Sequence, residues 1–220
     1  MKKELKIYLF RHGQTVFNRD GIFTGWKDSR LTAQGKRHAI GIAKQLKDVG
    51  IDVAIHTRLS RSKDTLAPVL KGHDECKLIL EDDRMIERSY GNLEGESHES
   101  FIKRIGGEEF DLSVEGDSVV SLSKADRKKA EKFLGTEEYK VIHRGYNVGP
   151  PAGESFADVE KRVKGFVRDL KKFMRKNEVS VAISGHGNSI RLFRKIMERA
   201  HRKSVVQWVI PYDKVYTYDV

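Results

Sequence analysis

A three-layer α/β fold, with a mostly parallel central sheet flanked by helices, is what this sequence predicts. Three observations predict it. Short apolar runs rich in β-branched residues recur along the chain, helical periods separate them, and polar residues able to do chemistry stand where the runs stop. At 220 residues the chain is long enough for one sizeable core, so a single domain over 1–220 is expected.

The first strand is predicted over 5–10 and runs straight into "RHGQTVFN", which places Arg11 and His12 at its end. In a sheet of this class ligands bind beyond the carboxyl ends of the strands. Ala39, Ile42, Ala43 and Leu46 follow at i, i+3, i+4 and i+7, one face of a helix. A strand over 53–56 leads into "TRLSRSKDTL", whose Arg58 and Arg61 can each fork onto phosphate oxygens, Arg61 being the preferred candidate. A run at 78–80 precedes "RMIERSYGNLEG", where Glu87 lies among apolar and bulky neighbours; partial burial would raise its pKa toward the range useful for acid–base work.

Residues 106–140 are rich in Gly, Glu and Lys, with weak apolar groups at 119–122 and 133–134. They read as an insertion with one short helix around 124–133, either a lid or an exposed excursion. Ser155 and Asp158 form a capping box for a longer helix, whose apolar face is Val159, Val163, Phe166, Val167, Leu170 and Met174. A strand over 179–184 ends in "ISGHGNSIR": His186 lies just past it and Gly187-Asn188-Ser189 opens a helix, an arrangement whose free N–H groups and helix dipole favour an anion. The last strand is expected over 215–220.

Lys and Arg number 42 against 32 Asp and Glu, a formal charge of +10. Nucleic acid or a small anionic metabolite would suit that field equally. The basic residues around 161–176 are mixed with Glu160 and Asp169, and the aromatic side chains, such as Phe166 on the apolar helix face, are not interleaved with them as a base-stacking series. They read as solvated helix faces, so no nucleic-acid partner is expected. Cys76 is the single cysteine, which excludes an intramolecular disulfide and suits a reducing cytoplasm. No run approaches the roughly 20 apolar residues of a membrane span. Met1-Lys2-Lys3 is followed by too short an apolar stretch for a secretory signal, so no membrane association is expected. Self-association into a homo-oligomer is allowed but not specified.

His12 and His186 thus each follow a strand and can meet at one sheet edge. Metal binding is the competing use of such a pair. It is disfavoured because no cysteine or carboxylate lies at ligand spacing to either histidine and Arg11 would repel a cation. A neutral imidazole can instead accept a phosphoryl group, provided an acceptor such as a backbone carbonyl holds its other nitrogen as a donor. Phosphoryl transfer then needs mainly positioning and cations around the equatorial oxygens.

Taken in order, "RHGQTVFN", "FTGWKDSRLTAQG", "TRLSRSKDTL", "ERSYGNLEG", "HRGYNVGPPAGES" and "GHGNSIR" resemble the histidine phosphatase superfamily, and within it the cofactor-dependent phosphoglycerate mutases. The resemblance implies that His12 is the phosphorylated nucleophile, with Arg11, Arg61 and His186 around the transferring group and Glu87 as proton donor and acceptor. Asn18, Thr24, Gly25, Arg88, Tyr90, Gly187 and Asn188 would bind the phosphate or carboxylate ends of the substrate, with His98, His143 and Arg144 at the carboxylate clamp. The implied reaction interconverts 3-phosphoglycerate and 2-phosphoglycerate in glycolysis and gluconeogenesis, primed by 2,3-bisphosphoglycerate and without a metal ion. A phosphomonoester phosphatase using the same phosphohistidine is the alternative, and a non-enzymatic anion binder on the same fold is a third reading.

Three departures bear on the choice. Gln14 stands where the mutases usually have Glu, His98 where they usually have Lys, and His143-Arg144 where they usually have two arginines. Two permanent cations are thereby replaced by imidazoles with an ordinary pKa of about 6.5. Either Lys103, Arg104 or another residue supplies the missing charge, or the clamp titrates between pH 6 and 8 and phosphatase side activity is high.

Overall fold

The computed structural model describes residues 4–114 and 122–220. Five strands form one sheet: β1 (Lys6–Arg11), β2 (Val53–His56), β3 (Leu78–Glu81), β4 (Val181–Gly185) and β5 (Val215–Asp219), in the spatial order β3-β2-β4-β1-β5. The first four run parallel and β5 pairs antiparallel with β1 at the edge. Each predicted strand is present, with ends shifted by at most two residues.

Alternation along the strands divides the core. Ile7, Leu9, Val53, Ile55, Val181 and Ile183 face one side. There they pack on α6 (Phe156–Asn177) and α7 (Gly187–Glu198). Tyr8, Phe10, Ala54 and Ala182 face the other, against α2 (Ala33–Leu46) and α3 (Ser60–Leu70). The short α1 (Val16–Arg19) follows β1 directly. Thr32 caps α2 by accepting from the Gly35 N–H, and Ser155 with Asp158 forms the expected capping box on α6.

The expected insertion has a different form. In place of one short helix over 124–133, the chain builds an antiparallel pair, α4 (His98–Val114) and α5 (Lys124–Arg144). Most of the 119–122 group lies outside the described residues, and Phe133 is exposed. Glycine explains how helices with so little apolar stripe pack together: a Cβ on Gly106 would lie 1.9 Å from the Glu131 carbonyl oxygen, and one on Gly135 would lie 1.9 Å from that of Ile102. The backbones therefore touch. Beneath the hairpin, Phe23, Tyr90, Leu93, Phe101 and Ile142 form a third apolar cluster that seats it on the body of the protein.

Gly135→Ala should test this contact. Alanine gains about 1 kcal/mol of helix propensity, whereas forcing a methyl group into packed backbone costs about 1–3 kcal/mol and more at so short a contact. The expected net result is a loosened hairpin, read as faster amide exchange throughout α4 and α5. Unchanged exchange would refute the close packing. Among the described residues no helix is long and apolar enough to cross a membrane.

Candidate active site

Strand register alone brings the two histidines together. Arg11 of β1 pairs with Gly185 of β4, so the next residues, His12 and His186, emerge side by side; the His12 N–H donates to the Gly185 carbonyl at 3.0 Å. Their ring centroids are 5.0 Å apart and both side chains are buried. On the other flank of β4, β2 delivers Thr57, whose Oγ1 lies 2.8 Å from His186 Nε2.

His12 is held in the tautomer that a nucleophile requires. Its Nδ1 lies 2.8 Å from the Gly13 carbonyl oxygen, which can only accept, so Nδ1 carries the proton and Nε2 keeps its lone pair. Burial, then the charges of Arg61 and Arg11, push its pKa well below the usual imidazole value, so the ring is neutral at pH 7. His186 is likewise held neutral by burial and by Arg61.

The cations around this pair are fixed by backbone carbonyls. Arg61 donates to Lys27 and Gly25, and Arg11 donates to Ile210. The Nε of each is buried without a partner among the described residues, a donor available to an anion. Burial lowers the Arg61 pKa to about 10, which leaves it charged at pH 7. Gly25, in the left-handed region at φ 48°, turns the chain so that its carbonyl meets Arg61. The first two turns of α3 act as a tie-point: Thr65 Oγ1 accepts from the Gly13 N–H, and Ser62 exchanges hydrogen bonds with Ser184 on β4.

Glu87 completes the group. Its Oε1 accepts from the backbone N–H groups of Arg88 and Asn188, at 2.8 and 3.0 Å, and Arg162 pins the Arg84, Ile86 and Glu87 carbonyls behind it. Ligand-type atoms of His12, Glu87 and His186 all lie within 4.8 Å of one another. That spacing could hold a cation, but the adjoining guanidinium groups of Arg11 and Arg61 favour an anion there.

Arg11, His12, Arg61 and Glu87 line a cavity of about 200 Å³, whereas His186, fully buried against the His12 ring, is not part of its lining. Of the residues expected to contact substrate, Asn18, Thr24, Gly25, Tyr90, His98, His143, Gly187 and Asn188 line it too. Arg88 and Arg144 do not. Arg88 is fully buried between the rings of Tyr90 and Phe156 and donates to the Ile142 carbonyl, while Arg144 reaches the Val206 carbonyl. Arg58 is drawn away to Asp83, and Gln14 turns to Thr32.

The hairpin supplies the wall opposite the histidine pair, from His98 at the start of α4 and His143 near the end of α5. Both rings pack around Tyr139, with centroids 5.1 and 5.0 Å from it. Burial lowers the His98 pKa, and burial together with Arg88 and Arg144 lowers that of His143 to about 3. Both are therefore neutral at pH 7. Lys103 and Arg104 do not replace the missing charge: Lys103 faces a separate groove between α4 and α5, and Arg104 pairs with Glu96 and Glu108.

Three lining or supporting residues escaped sequence reasoning. Arg191 lines the cavity one turn into α7, a position readable from its i+3 and i+4 spacing to Asn188 and Gly187. Thr57 could have been found only from the strand order. Tyr212, with the Arg11 guanidinium 4.2 Å above its ring and His38 stacked at 5.1 Å, comes from a loop with no motif. A larger groove of about 770 Å³ between α2 and α3 has no histidine in its lining.

The sequence matches the profile of the Histidine phosphatase superfamily (branch 1) over residues 7–117 and 122–219. The chain belongs to this superfamily. It is 31% identical over 205 residues to a 2,3-bisphosphoglycerate-dependent phosphoglycerate mutase of Afipia carboxidovorans, covering 91% of this chain and 84% of that one. To the protein of the same name from Chlamydia caviae it is 28% identical over 214 residues, covering 96% and 92%. Among solved structures, the alpha-ribazole phosphatase from Shigella flexneri superposes with a TM-score of 0.71 at 21% identity, covering 97% of this chain and 89% of that one. The phosphoglycerate mutase from Bacillus anthracis gives 0.65 at 22%, covering 90% and 82%. At these identities the structural likeness shows the fold.

Proposed function

We propose that this histidine phosphatase superfamily member interconverts 3-phosphoglycerate and 2-phosphoglycerate through phospho-His12. The observation that carries the phosphoryl-transfer step is the Nδ1 contact of His12 with the Gly13 carbonyl, which leaves a neutral, lone-pair-bearing Nε2 beside the buried Arg61 and the half-buried Arg11. His12 Nε2 attacks phosphorus as the ester P–O bond breaks, and Glu87 gives its proton to the departing alkoxide. In the return step Glu87 takes a proton from the incoming hydroxyl as that oxygen attacks phospho-His12.

The donor set suits a polyanion: Arg11 and Arg61 with unpartnered Nε groups, Arg191, and the N-terminus of α7. 2,3-Bisphosphoglycerate would supply the phosphoryl group that primes His12. The cavity, at about 200 Å³, is below the usual range for drug-sized ligands and suits a small metabolite. Small size also favours the mutase, because a phosphohistidine that meets water before a hydroxyl acid is simply hydrolysed. The curated relatives named as mutases support the same reading.

A phosphatase is the second reading, favoured by the uncharged wall of His98 and His143. An enolase-coupled assay, with and without 2,3-bisphosphoglycerate and with phosphate release followed in parallel, separates the two. The expected result is primed mutase flux well above phosphate release. The ratio should be flat from pH 6.5 to 8. A histidine whose pKa is lowered gains its charge only below that lowered value, so neither hairpin imidazole titrates in this window. Phosphate release without mutase flux would decide for the hydrolase.

A further inference from the structure

The cavity has a cation that no expected role accounts for. Arg191 lies on the same face of α7 as Gly187 and Asn188, one helical turn, about 5.4 Å, farther from the phosphoryl-binding end. Its guanidinium is fixed on one side, with Nε donating to the Trp208 carbonyl at 2.7 Å and Nη1 donating to Asn188 Oδ1. Nη2 has no hydrogen-bond partner among the described residues. Burial, with Arg144 adding repulsion, lowers its pKa to about 10, so it stays charged at pH 7.

The cations that line the cavity are Arg11, Arg61 and Arg191; the first two flank the histidine pair. Among the described residues Glu87 is the one carboxylate in the lining, and the α4–α5 hairpin offers only neutral imidazoles on this side. A substrate with a second anionic group must therefore find its partner at Arg191. We infer that Arg191 is the specificity-determining residue that receives the carboxylate of a phosphorylated hydroxy acid, so that recognition of the acid comes from the rigid helix α7 rather than from the hairpin. This rests on the phosphoglycerate reading above. A charge-assisted contact from Nη2 to a carboxylate oxygen suits the geometry, because Nη2 is unpartnered while Nε and Nη1 hold the guanidinium in place.

Isothermal titration of the whole protein with 3-phosphoglycerate, glycerol 3-phosphate and inorganic phosphate tests the assignment without depending on turnover. The wild type is expected to bind the acid about 30-fold tighter than the alcohol phosphate, the size of a charge-assisted contact. Arg191→Gln should reduce that preference to about threefold or less while phosphate affinity changes less than about twofold, and Arg191→Lys should restore part of it. Retained phosphate binding also shows that the variants are folded. A preference unchanged in Arg191→Gln, a wild type with no preference, or an equal loss of phosphate affinity would overturn the assignment. Failure of the mutase reading looks different: the acid is preferred and the preference depends on Arg191, yet the coupled assay shows no flux.

Discussion

His12→Ala is expected to abolish mutase and phosphatase turnover together, by roughly 10⁶-fold, the loss typical of removing a covalent nucleophile. The size follows from the arrangement around the ring: one nitrogen is committed to the Gly13 carbonyl, Arg61 and Arg11 stand beside it, and the neighbouring imidazole of His186 is tied to Thr57. His186 does not replace it, because its Nε2 is occupied by Thr57 and its position follows β4 rather than β1. The variant should also fail to acquire an acid-labile, base-stable phosphate from labelled 2,3-bisphosphoglycerate, which the wild type acquires on brief exposure. Turnover above about 1% of wild type would place the nucleophile elsewhere.

How the site arises is largely a matter of strand order. β4 lies between β1 and β2, so three consecutive strand ends present His12, His186 and Thr57 along one edge. Two helix N-termini then add the rest: α3 brings Arg61, Ser62 and Thr65, and α7 brings Gly187, Asn188 and Arg191. The positive charge of the buried Arg61 and the half-buried Arg11 and Arg191 is tolerated because backbone carbonyls solvate the guanidinium groups.

The sheet and its chemistry were legible because both leave local marks: β-branched runs end in RHG and GHGN, and Ser155 with Asp158 announces α6. The helical hairpin was not, and the reason is physical. α4 and α5 pack through backbone contacts at Gly106 and Gly135, so the usual apolar stripe that reveals a helix is weak. What the hairpin histidines do was also illegible, since an imidazole's charge depends on burial. Their ordinary pKa allowed a clamp that titrates near neutrality, whereas burial around Tyr139 keeps both neutral. Arg88 and Arg144 share the family-like blocks with residues that line the cavity, but a motif does not say which way a side chain turns.

Glu87→Gln isolates the proton-transfer step. Glutamine keeps an oxygen able to accept from the Arg88 and Asn188 N–H groups, so the loop behind Glu87 stays in place while the carboxylate is lost. Phosphoglycerate has a poor, alkoxide-type leaving group and an incoming hydroxyl that must lose a proton, so its turnover should fall by about 10³-fold. Phosphoryl transfer from 4-nitrophenyl phosphate to His12 needs no proton for its leaving group, and its burst should change by less than about 10-fold. Rapid-quench measurement of both burst rates therefore reads the role directly. If the two substrates lose rate equally, Glu87 acts by holding Asn188 and the start of α7 in place rather than by moving a proton.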